Sequence, residues 1–302
     1  MNVNEQKSEA YKNLVKQMKK TYPKFDYSFD PLDSSLSDKF WAPYVKINNK
    51  MTCICEEINL WTYWQGLGYA EKVPKIKYLL VGQDYGGIFH LDNNTDNKKT
   101  LQIISGIVEG NERISEINAG NKDLPYFETT KNPTNRNLME LFKILGYDDI
   151  IARHDDLFFT NFCLAYKTGS GTGSVPNEIM KKSAPLFKAL CNTLEPENIL
   201  CLGKQVFKYV YETLTKEKVS TVKFHNEAYN TFLEKHADIK VNCVNFETRI
   251  YPLAHCGGMG TANRNRGLPK QSDPLHYQKQ DWRRIARDNV AISTNNNSMD
   301  KE

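Results

Sequence analysis

The sequence predicts an α/β protein: a three-layer α/β/α sandwich around a short, mainly parallel four-stranded sheet. Three observations carry that expectation. Short apolar runs of strand length alternate with longer stretches whose apolar residues recur at helical spacing. The chain is 302 residues long, enough for one large domain with insertions, and it contains no internal repeat. Its 40% hydrophobic and 25% charged residues match a soluble globular protein rather than a disordered one.

The elements follow in order. Residues 5–20 read as an amphipathic helix, with Tyr11, Leu14, Val15 and Met18 on one stripe. Residues 22–76 are aromatic-rich and irregular. Their Trp41, Trp61, Tyr63 and Trp64 are expected to pack an N-terminal layer onto the sheet. Lys77 to Val81 is a buried strand, and about 88–133 is a polar insertion with a helix near 100–108. A helix from Arg136 to Leu145 stops at Gly146, a residue suited to the left-handed position after a helix. Leu157 to Thr160 is the second strand. The helix over 177–194 starts after Pro176. Asn198 to Leu202 is the third strand and Lys204 to Leu214 the helix after it. Val241 to Ala254 holds one or two strands, and Pro274 to Val290 the last helix. The domain division expected is an extension over 1–76, an α/β domain over 77–292 and a disordered polar tail over 293–302.

No run approaches the roughly 18 apolar residues of a membrane span. The polar start Met1–Lys7 lacks the apolar core of a signal peptide. The seven cysteines are odd in number and scattered, which argues against a disulfide framework. A cytoplasmic protein with no membrane partner is expected, and a monomer. Neither a four-cysteine iron–sulfur pattern nor a spaced zinc set can be assembled, so no metal or cofactor is expected.

In an open α/β sheet, ligands bind beyond the carboxyl ends of the strands. The first strand is followed by Gly82-Gln83-Asp84-Tyr85-Gly86-Gly87, the second by Asn161, the third by Gly203-Lys204 at a helix start, and the fourth by His255-Cys256-Gly257-Gly258. Any one of these would pass for a cap or turn residue. Together they place an acid, an amide, a helix N-terminus and an imidazole along one sheet edge.

The ordered set resembles the uracil-DNA glycosylase superfamily from about residue 77 to 290. Gly82-Gln83-Asp84 is similar to its water-activating motif, and Phe159-Thr160-Asn161 to its second strand with a base-reading Asn. Ile199 to Lys204 resembles its third strand and helix start. Tyr251 to Gly257 resembles the strand that leads into its His-Pro-Ser motif. The resemblance implies a metal-free enzyme that hydrolyses the bond between a flipped pyrimidine and its deoxyribose in DNA. Asp84 would position a water or stabilise the cationic sugar. His255 would donate to the base oxygen where negative charge develops. Asn161 would read the base edge, with Gln83 beside it, and Tyr85 or Phe89 would stack on the ring.

The departures bear on substrate. Tyr85 stands where the family has Pro. Gly86 stands where uracil-strict members carry a Tyr that crowds C5, so uracil or a C5-modified pyrimidine would fit. Hydroxymethylated or glucosylated cytosine of phage DNA is then a candidate, with a role in repair or anti-phage defence. Cys256-Gly257-Gly258 replaces Pro-Ser, giving a Gly-rich loop with Met259 as candidate wedge in the base stack.

Phosphate contacts are expected from Gly203 and Lys204, from Gly257 and Gly258, and from Arg264 and Arg266. The last two open a basic stretch that runs to Arg287 with only Asp273 and Asp281 as acids. The Gly-rich run 168–174 lacks the Lys of a P-loop. It reads as a DNA-touching loop through Ser170 and Ser174, or as a plain surface linker. Two other functions compete: a glycosylase-like module that binds DNA without cutting it, and an unrelated nucleotide-using α/β enzyme.

Overall fold

The computed structural model describes residues 76–83, 133–148, 150, 156–164, 166–167, 175–217, 229–235 and 239–299. It also describes residues 40–41, 44–47 and 50–53, and scattered positions between 5 and 21. The strands are β1 (Phe40–Trp41), β2 (Tyr44–Ile47), β3 (Lys50–Cys53), β4 (Tyr78–Gly82), β5 (Leu157–Asn161), β6 (Tyr166–Lys167), β7 (Asn198–Leu202), β8 (Ile239–Asn242) and β9 (Glu247–Leu253). The helices are α1 (Pro133–Phe142), α2 (Asn177–Leu194), α3 (Lys204–Thr215), α4 (Tyr229–Lys235), α5 (Gly258–Asn265) and α6 (His276–Met299).

The central sheet has five strands in the order β5-β4-β7-β9-β8. Four are parallel, and β8 pairs antiparallel with β9 at the edge. The expected four-stranded sheet is corrected by this added strand. Cys243 N–H donates to Phe246 O at 2.8 Å, which closes the hairpin that folds β8 back along β9. Strand order reverses at β4, whose neighbours β5 and β7 both follow it in the chain. That reversal is where an open α/β sheet forms its ligand crevice.

Successive strand residues point to opposite faces, and the core divides accordingly. Leu79, Val81, Phe158, Ile199, Cys201 and Ile250 pack with α2 and α3 residues such as Phe187, Leu190, Phe207 and Val210. Tyr78, Leu80, Phe159, Leu200, Tyr251 and Leu253 pack with Leu138 and Phe142 of α1 and with Trp282 and Ile285 of α6. Helices thus cover both faces, in three layers. The continuous apolar character of β4, β5 and β7 follows from burial on both sides. Phe142 anchors the second core, with Phe159 at 5.1 Å and Trp282 edge-on at 4.9 Å between ring centroids.

Two further differences from the sequence reading concern residues 40–53 and the last helix. Residues 40–53 carry three short strands, β2 pairing with β3 and β1 with β6, so part of the stretch read as irregular is sheet. Trp61, Tyr63 and Trp64 lie outside the described residues, as do the insertion from 88 to 132 and the run 168–174. The last helix continues through Met299, past Val290 and into the polar tail, because no Gly or Pro follows Gly267 and Pro274 to stop it. The described positions between 5 and 21 are helical, and Leu14 is buried in the core under α2 and α3.

Candidate functional site at the carboxyl edge of the sheet

The parallel strands bring Gly82-Gln83, Asn161, Gly203-Lys204 and Ala254-His255 to one edge. The sequence places Asp84 directly after Gln83. Asp84, Tyr85, Gly86 and Phe89 lie outside the described residues, as do Ser170 and Ser174.

Gly82 and Asn161 are register partners. Pairing carries on past the strand ends, with Phe162 N–H to Gly82 O and Cys163 N–H to Gln83 O, both at 2.9 Å. A β-carbon at Gly82 would collide with Asn161 Oδ1, so glycine is needed for the amide to lie against β4. Asn161 is 3% exposed, and its Nδ2 has no hydrogen-bond partner among the described residues. A buried amide donor left unpaired costs about 1–3 kcal/mol. Such a group calls for a ligand or an ordered water.

At the next strand, Gly203 has φ 108°, a conformation that only glycine adopts without strain. Its N–H donates to Leu253 O at 2.8 Å, tying the β7 exit to β9. Lys204 opens α3 with its ammonium 4.9 Å above the Phe232 ring.

The His255 loop is clamped from three helices. Gln278 of α6, 1% exposed, donates Nε2–H to His255 O at 3.2 Å and takes Thr261 Oγ1–H at 2.9 Å. Asn137 of α1 donates to Cys256 O at 2.6 Å. Gly260 of α5 lies so close that a β-carbon there would collide with the His255 carbonyl. The Cys256 thiol is buried, and burial pushes its pKa up, so it stands as a packed thiol.

Gly257 N–H donates to His255 Nδ1 at 2.9 Å. A backbone N–H can only donate, so Nδ1 is an acceptor and the ring proton sits on Nε2. The residue keeps an exposed surface, yet neighbouring atoms crowd the imidazole, and that desolvation lowers its pKa. At neutral pH the ring is therefore uncharged and offers one N–H donor.

Two sequence expectations change here. Gly257-Gly258-Met259 does not form a free Gly-rich loop: Gly257 caps α5, Gly258 starts it, and Met259 lies in its first turn, 78% exposed. Arg264 is not a phosphate contact. It is 4% exposed and binds Asp281 through Nε at 2.8 Å and Nη2 at 3.0 Å, with Nη1 on Asn230 Oδ1 at 2.8 Å. Arg266 remains exposed, with one bond from Nη2 to Asn263 Oδ1 at 3.0 Å.

Sequence reasoning missed Asn137 and Gln278. A signal existed: each is a polar residue on a helix stripe otherwise made of Leu138, Leu141 and Phe142 or of Trp282 and Ile285. A polar residue that shares a buried stripe is bonded to something.

Among the described residues, no three His, Cys, Asp or Glu side chains come together as a metal site. No described helix is long and apolar enough to cross a membrane. The chain matches no protein-family model and no curated protein.

Proposed function

We propose that this protein is a monofunctional DNA glycosylase that hydrolyses the N-glycosidic bond of a flipped uracil or C5-modified pyrimidine and leaves an abasic site. The observation that carries the reading is the Gly257 N–H to His255 Nδ1 bond. It presents a neutral Nε2–H donor on the same sheet edge as Asn161 Nδ2, which has no partner among the described residues. Asn161 and the residue before Ala254 end strands three steps apart, about 14 Å at sheet spacing.

The chemistry follows from charge. As the bond breaks, its electron pair goes to the base and the sugar becomes oxocarbenium-like. His255 Nε2–H stabilises the negative base oxygen without giving up its proton. Asn161 offers a donor and an acceptor to the base edge. Asp84, two residues beyond Gly82, stabilises the cationic sugar and orients the water that adds to C1′. The released base takes up a proton and the sugar keeps the hydroxyl. Gly86 leaves the C5 side of the base without the bulk of a tyrosine, which supports hydroxymethylated or glucosylated pyrimidines as substrates and a role against modified phage DNA.

The test uses oligonucleotides that carry a single uracil, 5-hydroxymethyluracil, 5-hydroxymethylcytosine or glucosylated hydroxymethylcytosine. Alkali cleaves any abasic site and mass spectrometry identifies the free base. Release by the wild type and not by Asp84→Ala is expected from at least one of them. DNA binding without release from any of the four would overturn the reading in favour of a non-catalytic binding module.

A further inference from the structure

Away from the sheet edge, α6 borders a groove of about 710 Å³ lined by Ile144, Arg264, Asp281, Arg283, Arg284 and Arg287, among others. Among the described residues that line it, four arginines face one carboxylate, and Asp281 is already held by Arg264. The other acid of this basic stretch, Asp273, pairs with Lys279 at 2.9 Å. Among the described residues, Arg283, Arg284 and Arg287 have no ion-pair partner.

Arg284 is the anomaly. Its Nε and Nη2 atoms are buried with no hydrogen-bond acceptor among the described residues. A guanidinium has five N–H donors in a rigid fork and does not lose its charge. Arg284 as a whole is only half-buried, but leaving these two nitrogens unpaired is costly, and an anion with two or more oxygens would satisfy them. Arg283 and Arg287 stay exposed one turn apart, about 6 Å along the helix axis. Helix α6 starts at the candidate site, where Gln278 holds His255 O, and reaches the far edge, where Asn289 donates to Tyr78 Oη at 2.7 Å. Arg287 thus lies about 13 Å down the axis from Gln278.

We infer that this groove binds phosphodiesters of the DNA strand flanking the extruded nucleotide, with the Arg284 fork on one phosphate and Arg283 and Arg287 on its neighbours. The inference rests on the proposed DNA substrate and adds a second contact surface to it. Arg283, Arg284 and Arg287 differ from Arg264 and Arg266, the ones expected from the sequence.

The test is the salt dependence of binding to a 20-base-pair duplex, read by fluorescence anisotropy. Each neutralised phosphate contributes about 0.9 to the slope of log K against log salt. Arg283→Gln combined with Arg287→Gln is expected to lower that slope by about 2. Arg284→Gln is expected to lower it by about 1. Lys181→Gln, on α2 of the opposite face, is the control and leaves it unchanged. The double variant removes only exposed side chains, so it reads out even if Arg284→Gln fails to fold. An unchanged slope in the double variant overturns the inference. So does binding of inorganic phosphate to the wild type with no effect of the double variant on the slope, since the groove would then take a small anion. A lowered slope with no base released from any oligonucleotide would leave the groove standing and remove the glycosylase. Base release with an unchanged slope would do the reverse.

Discussion

The two ends of the candidate site differ in how their polar groups are satisfied. At the His255 end, the carbonyls of Ala254, His255 and Cys256, the imidazole Nδ1 and the amide of Gln278 all have partners inside the protein. At the Asn161 end, a buried Nδ2 has none among the described residues. One end is paired within the protein, and the other carries a buried donor unpaired among the described residues. That division suits a site where a single N–H must be aimed before the substrate arrives, while recognition is completed by the substrate. The same contrast recurs where α5 meets α6. Arg264 of α5 is tied to Asp281 and Asn230, while Arg284, three residues after Asp281 on α6, has two buried nitrogens with no acceptor among the described residues.

The largest effects are expected at the His255 end. Arg264→Ala leaves the Asp281 carboxylate buried and unpaired behind α5, and should cost about 3–5 kcal/mol in urea unfolding. His255→Ala should lower the single-turnover rate of base release by about 10²–10³-fold, the usual loss for one preorganised donor, with DNA affinity little changed. Asn137→Ala frees the Cys256 carbonyl and should destabilise the fold by about 1–3 kcal/mol, again by urea melts. Asn161→Ala separates the two ends most cleanly. It removes a buried donor that has no partner among the described residues, so stability in urea melts should hold or rise, by up to about 1–3 kcal/mol. The Kd for DNA bearing the target base should rise by roughly tenfold, the worth of one hydrogen bond.

The smallest effect expected is on pH. The folded pKa of His255 is lowered by desolvation, so the unfolded chain takes up a proton first as pH falls. Its contribution is fully present above the unfolded value near 6.5 and is lost as pH drops from there through the folded pKa. An NMR titration of the His255 ring should show a midpoint below 6.5 and the neutral Nε2–H tautomer above it. A midpoint at or above 6.5 would contradict the neutral donor.

Local pattern was enough for the central strands and for the edge they share. The bounds 177–194 and 198–202 agree between reading and structure, because buried parallel strands are unbroken apolar runs and long helices repeat at 3.6 residues. Asn161 and His255 were found because a residue just past a strand of known direction has a known address. Helix α5 was not found. Gly257-Gly258-Met259-Gly260 has poor helix propensity, and what makes it helical is contact: Gly260 can lie on the His255 carbonyl only because it has no side chain.

Composition and periodicity along the chain thus decided the α/β class, the order of the layers and which residues meet at the sheet edge. These depend on neighbours within a few residues and on a topology with few solutions. Three things were left to tertiary structure: the antiparallel fifth strand, the tautomer of His255, and which arginines are spent on the fold and which have no ion-pair partner among the described residues. Asp281 lies 17 residues from Arg264, and Gln278 lies 23 from His255. No local pattern encodes pairings at that separation. They arise when α5 and α6 pack against the end of β9 and burial forces each polar group to find a partner or remain without one.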